Sequence, residues 1–174
     1  MGNPAGEWSI ERLKQHHQRS AFDCSVASLN DWLRHLASQY ERRDLARTYV
    51  LTRTGDVNVL GFYALSSHGV NYGTLPDDQT KGLPRIDVPV ILLGRLAVDR
   101  HAHGQGLGSL LLMHAFRRVL DLPDQLGVRA IEVDAIDESA KQFYEKHGFR
   151  PLLDHSRHLF LPLQVIRKLN LPPS

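Results

Sequence analysis

The part of the chain best equipped for chemistry is the run ILLGRLAVDRHAHGQGLGS, from Ile91 to Ser109. Residues 91–98 read as a buried strand, closed by Asp99 and Arg100. Three glycines at every second position follow, Gly104, Gly106 and Gly108, and helical periodicity begins beyond them. A strand feeding a glycine turn and then a helix suits an anion. Glycine admits positive φ and close backbone approach, and the first helical turn offers unpaired N–H groups and the positive end of the dipole. Phosphate is the ligand this predicts. The two common nucleotide loops do not fit. A P-loop ends in Gly-Lys-Ser/Thr, whereas Gly106-Leu107-Gly108-Ser109 has no lysine. A dinucleotide fingerprint needs a third glycine where Ser109 stands, and it follows the first strand of a sheet; here a long stretch of chain comes first.

Ten histidines raise the question of a metal. His101-x-His103 has no third ligand at a recognisable spacing, and loop polarity or phosphate contact accounts for it better. His16-His17 is read the same way, and no metal is expected. The single cysteine, Cys24, excludes an internal disulfide and reads as a buried structural thiol in a reducing compartment.

These residues need a framework. A chain of 174 residues suggests one domain with a real core, and a net charge of +2 does not by itself demand nucleic acid. The domain is expected over residues 8–163, between a flexible N-terminus (1–7) and a C-terminal tail (164–174). The basic cluster Arg42, Arg43 and Arg47 reads as a solvated face or a polyanion contact. Neither a leader segment nor a membrane span is recognisable, which points to the cytoplasm.

In order, residues 8–13 alternate as a first strand. Ser28 is a candidate N-cap, with Asp31 three residues on. Leu29, Trp32, Leu33, Leu36, Ala37 and Tyr40 then form a helical stripe. Residues 48–52 and 57–65 read as a hairpin around Thr54-Gly55-Asp56. Residues 68–89 read as a long loop with a short helix near 77–81. After the glycine loop comes a helix closed by Leu122-Pro123-Asp124, a strand at 128–135, a helix from Asp137, and strands near 149–153 and 157–163. The predicted order is β-α-β-β-β-α-β-α-β-β, an α+β fold.

The segment His101-Ala102-His103-Gly104-Gln105-Gly106 resembles the pyrophosphate-binding signature of the GNAT N-acetyltransferases, Arg/Gln-x-x-Gly-x-Gly/Ala. A second segment, Asp137-Glu138-Ser139-Ala140-Lys141-Gln142-Phe143-Tyr144-Glu145-Lys146-His147-Gly148-Phe149, is similar to that superfamily's C-terminal helix and following strand. The resemblance implies the GNAT acyl-CoA N-acyltransferase fold, a central mixed, twisted sheet flanked by helices, with acetyl-CoA as donor and no metal. The donor site would comprise Leu96, Ala97, Val98, His103, Gly104, Gln105, Gly106, Leu107, Gly108, Ser109, Asp137, Ser139 and Phe143. Backbone N–H groups of residues 96–98 would polarise the thioester carbonyl, and Tyr144 would protonate the departing CoA sulfur. His101 stands where Arg or Gln is usual, which implies an altered phosphate contact on a loop whose glycines still serve.

Strand 91–98 carries no carboxylate, and Arg95, where some GNAT enzymes place an acid, cannot accept a proton. A site without a strong base suits an amine already largely neutral. An α-amine titrates near 7.7–8.0 and a lysine near 10.4, so α-amines are favoured; a base from a loop, such as Asp99 or a histidine, stays open. Residues 22–24, 29–33, 42–50, 61–65, 89–99 and 159–162 are similar to the GNAT toxins of bacterial toxin–antitoxin pairs. That likeness spans roughly residues 8–163. It implies acetylation of aminoacyl-tRNA, translation inhibition, a ribbon-helix-helix antitoxin, a homodimer, and tRNA contacts by Arg42, Arg43, Arg47 and Arg95. The alternatives are an acetyltransferase for small-molecule amines or protein N-termini, and a non-catalytic acyl-CoA-binding module.

Overall fold

The computed structural model describes residues 4–171. A turn of helix, α1 (Pro4–Glu7), leads into β1 (Trp8–Arg12). One helical stretch follows in three parts: α2 (Ala27–Asp31), a π-helical segment (Trp32–Leu36) and α3 (Ala37–Arg42). Strands β2 (Arg47–Arg53), β3 (Gly61–Val70) and β4 (Val88–Val98) come next, with a short α4 (Asp77–Thr80) between the last two. The chain continues through α5 (Leu107–Leu120), β5 (Ala130–Asp134), α6 (Glu138–Lys146), β6 (Arg150–Pro151), β7 (His158–Pro162) and α7 (Leu163–Arg167). The seven strands hydrogen-bond in the order β1-β2-β3-β4-β5-β7-β6. The sheet is mixed: β4 and β5 are parallel over Val90–Leu92 against Ala130–Glu132, and β1–β2, β2–β3, β5–β7 and β6–β7 are antiparallel.

The chain forms two compact units. The first holds the described residues up to Ser66 together with Arg95–Ala115; the second holds Ser67–Gly94 and Phe116–Leu171. The core of the first unit comes from the helical stripe. Trp32, Leu33 and Ala37 bury against Val50, Phe62, Ala64 and Ala97, and the Trp32 and Phe62 rings stack at 5.9 Å. In the second, Val70, Leu75, Val88, Val90, Ala130, Leu152 and Phe160 cluster. At roughly 25 cal/mol per Å² of apolar surface removed from water, such clusters dominate the folding energy.

Several elements differ from the sequence expectation, each for a local reason. Ser28 lies inside α2 and does not cap it. The N-cap is Val26, in extended backbone without a side-chain bond. Instead the Asn30 carboxamide accepts the Cys24 N–H at 2.9 Å and donates to Asp23 at 3.0 Å. The stripe 29–40 is interrupted by the π segment. Residues 57–60 do not join the hairpin strand, because the Val57 carbonyl accepts the Gln18 N–H and the Val59 N–H donates to the Gln18 carbonyl. Strand β3 runs on to Val70, and β4 begins at Val88, so the expected long loop is shorter at both ends. Residues 4–7 are helical where a flexible terminus is expected. The expected tail begins as α7, anchored by buried Leu163 and Ile166; residues 1–3 and 172–174 lie outside the described part.

Candidate active site

In the first unit, β4 delivers Leu96, Ala97 and Val98 to the loop. Asp99, only 4% exposed, then turns the chain. Its Oδ1 accepts the His101 N–H at 2.9 Å, and its Oδ2 accepts the Asp23 N–H at 3.0 Å. Both oxygens serve the backbone, so Asp99 secures the loop and is not placed as a free base. The exposed His101 ring adds a contact to Asp99 at 3.3 Å. His103 Nε2 lies 2.8 Å from the Val98 carbonyl, so the ring donates to the end of the strand. Gly104 and Gly106 have φ of +81° and +74°, and no heavy atom lies within 4 Å of a Cβ built on either. Backbone conformation requires glycine here, and crowding does not. Exposed Gln105 sits between them. Leu107 is buried and roots α5, whose first turn includes Gly108 and Ser109; Leu110 is the residue whose N–H reaches back to Gly106. The N-terminal end of this 14-residue helix and the glycine turn together present backbone of the kind that can receive an anion.

In the second unit, Asp137 caps α6 by accepting the Ala140 N–H at 2.7 Å. Ser139 is exposed in the first turn and Phe143 is half-buried. Tyr144 is 7% exposed and meets the Phe143 and Phe149 rings edge-on, each at 5.3 Å. Burial pushes its phenol above the usual tyrosine range. Such a phenol is protonated at any physiological pH and can donate its proton.

Among the described residues, Glu11, His16 and His17 are the one group of three close enough to share a metal ion. The hydrogen bonds speak against it. His17 Nδ1 accepts the Lys14 N–H at 2.9 Å, so the ring proton sits on Nε2 and points at Glu11, 2.8 Å away. Neither nitrogen keeps a lone pair for a metal.

Residues 44–151 match the family model described as an acetyltransferase (GNAT) domain, more than half of the chain. The chain belongs to the GNAT acetyltransferase family. Among curated proteins it is similar to a tRNA-acetylating toxin of Mycobacterium tuberculosis, 37% identical over 95% of this chain and 98% of that one. Among solved structures it is similar to AtaT complexed with acetyl-methionyl-tRNAfMet, at TM-score 0.86 and 32% identity, covering 92% of this chain and 98% of that one. It is also similar to a tyrosine-to-phenylalanine mutant of the AtaT toxin bound to the C-terminus of the antitoxin AtaR and acetyl-CoA. That match has TM-score 0.78 and 30% identity, with 92% and 96% covered.

For this GNAT chain, the structure brings Leu96–Val98 and residues 103–109 together in the first unit. Asp137, Ser139, Phe143 and Tyr144 come together on one helix of the second. The four arginines are engaged differently. Arg47 is held by Asp44 at 2.6 Å and by the Glu41 carbonyl at 3.1 Å. The half-buried Arg95 guanidinium lies over the Trp32 ring at 4.1 Å and near Tyr40 at 5.8 Å, and burial lowers its pKa. Arg43 ends α3, exposed, and Arg42 lines a cavity with Lys14 and Arg19. In the sequence Trp32 is one member of an apolar stripe, and nothing in its spacing points to Arg95. Lys14 and Arg19 carry no motif at all; only the fold brings them to one cavity with Arg42.

Among the described residues, no helix is long and apolar enough to cross a membrane.

Proposed function

We infer that this GNAT acetyltransferase moves the acetyl group of acetyl-CoA onto the α-amine of an aminoacyl-tRNA, and that it is the toxin of a toxin–antitoxin pair. The observation that carries this is near-full-length similarity to a protein solved with an acetylated aminoacyl-tRNA. Residues 103–109 hold the donor pyrophosphate on backbone N–H groups, and Asp137, Ser139 and Phe143 border the donor. The backbone of Leu96–Val98 polarises the thioester carbonyl. The amine nitrogen forms the new C–N bond, the C–S bond breaks, and the CoA sulfur takes a proton from Tyr144; the amine's own proton leaves to water. Asp99 is committed to the backbone, which supports an acceptor that needs no strong base. Arg42, Arg43, Arg47 and Arg95 serve the tRNA. A homodimer, a ribbon-helix-helix antitoxin and a cytoplasmic location complete the reading.

The test is cell-free translation with purified protein and acetyl-CoA, beside Tyr144→Phe, with acetylated aminoacyl-tRNA quantified. Arrest that requires acetyl-CoA and disappears in Tyr144→Phe supports the reading. Unimpeded translation by a protein that binds acetyl-CoA sinks it and redirects the search to free amines and peptide N-termini.

A further inference from the structure

Two cavities of the first unit share Arg19 in their walls. One of about 460 Å³ is lined by Lys14, Arg19, Arg42 and Glu41 among others. The other, of about 360 Å³, is lined by His17, Arg19 and Arg34 among others. Glu41 is the one acid in either lining, and its carboxylate is taken. Arg12 pairs with one oxygen, and the Thr48 N–H donates to the other at 3.2 Å. The guanidinium groups behind are positioned by carbonyls: Arg19 donates to the Leu33 oxygen at 2.9 Å, and Arg34 donates to the Phe22 oxygen. A carbonyl orients a cation without cancelling its charge. Arg19 is also partly desolvated, which lowers its pKa, and it has no acid in compensation. The side chains of Lys14 and Arg42 make no hydrogen bond or ion pair with any described residue. A partly desolvated cation with others gathered beside it is costly until an anion joins them.

We propose that this trough of Lys14, Arg19, Arg34 and Arg42 is a phosphodiester-binding groove that seats the backbone of the RNA substrate. No Phe, Tyr or Trp lines either cavity. The cations dominate the lining, so the groove is suited to backbone charge, which carries no sequence information. The proposal rests on the reading that the acceptor is an aminoacyl-tRNA, and it adds Lys14, Arg19 and Arg34 to the arginines named above.

The test compares the full-length protein with the double variant Lys14→Gln/Arg42→Gln, two exposed side chains whose loss breaks no bond. Binding of labelled tRNA is followed by anisotropy across a salt titration, with the melting temperature and acetyl-CoA affinity as checks on the fold. Two lost phosphate contacts should flatten the slope of log K against log salt by about 1.8 and weaken binding about 30-fold at 0.15 M salt. Affinity and slope equal to those of the unmodified protein would overturn the proposal. So would inorganic tripolyphosphate that binds the trough yet does not compete with tRNA, since that marks a site for small polyphosphates. Failure of the wider reading looks different: the unmodified protein would bind tRNA with the steeper slope yet acetylate no aminoacyl-tRNA. If it does acetylate, with KM unchanged in the double variant, the groove falls and the activity stands.

Discussion

Both units of this chain pair cations with acids, but in the first some arginines rest on backbone carbonyls instead. In the second, cations meet acids. Arg150 grips Asp78 through two hydrogen bonds at 2.9 and 3.1 Å. The His158 ring lies between Glu132, itself 1% exposed, and Asp154, and His68 takes the other oxygen of Glu132. In the first, Arg12, Arg47 and Arg100 also meet acids, but Arg19 and Arg34 rest on backbone carbonyls and Arg95 rests on the face of an indole. A carboxylate cancels the field of its partner; a carbonyl or a ring fixes the direction of a cation and leaves its field largely intact. Charge serves cohesion in the second unit; in the first, Arg19, Arg34 and Arg95 hold theirs available. The difference teaches where to look for an anionic substrate, even though the net charge is only +2.

The comparison can be broken, and the sharpest attempt uses Tyr144, the residue of the second unit to which the proposed mechanism gives the proton transfer. Tyr144→Phe should lower kcat by about 100-fold or more, the scale of a lost general acid, with acetyl-CoA affinity nearly unchanged. Isothermal titration beside steady-state rates checks both halves. A large loss of donor affinity would mean that the hydroxyl holds the donor instead of the proton.

Next in size is the loop of the first unit. Gly106→Ala forces a side chain into a backbone with φ of +74°, costing about 1–2 kcal/mol. The KM for acetyl-CoA should rise about tenfold while kcat changes little. Since no atom crowds a Cβ there, the melting temperature should fall only slightly. Arg95→Gln removes the contact with Trp32, of order 1 kcal/mol, and a positive charge. Aminoacyl-tRNA KM should rise several-fold, whereas Arg150→Gln, which removes a neutralised charge, should leave it alone. An equal rise in both would dissolve the contrast between the units.

The smallest effect is a dependence on pH. Burial works against a charged His158, but its bonds to Glu132 and Asp154 outweigh that and raise its pKa above 6.5. The stability this contributes is fully present below pH 6.5 and is lost as pH rises through the raised value. The melting temperature should therefore decline modestly from pH 6 toward alkaline conditions. The decline should be shallower in His158→Gln.

What could be read in the sequence was what local rules decide. Gly104 and Gly106 stand where only glycine is comfortable, a helix was expected from Asp137 and its side chain caps it, and alternation marks β1. The helical stripe from Leu29 to Tyr40 was legible as a buried face, but the π segment within it was not, since one wider turn leaves the spacing of apolar residues nearly unchanged. Ser28 misled because a capping residue and a first-turn residue look alike until Asn30 is seen bonding Cys24. Glu132 sits in a strand that reads as apolar on both sides, and its histidines are 64 and 26 residues away. Arg19 and Arg95 owe their settings to partners 14 and 63 residues away (Leu33 and Trp32). No short-range pattern encodes such pairs.

The buried phenol of Tyr144 has one more consequence. A proton donor whose pKa lies well above neutrality is loaded at every pH a cell experiences, and Asp99 is locked to the backbone. The pace of the reaction then follows the acceptor's own ionisation, and kcat/KM should rise until the amine is neutral and level off beyond. Acidity slows such a catalyst only by charging its substrate, because Tyr144 stays protonated throughout. Restraint has to arrive from outside, as something that physically covers the site.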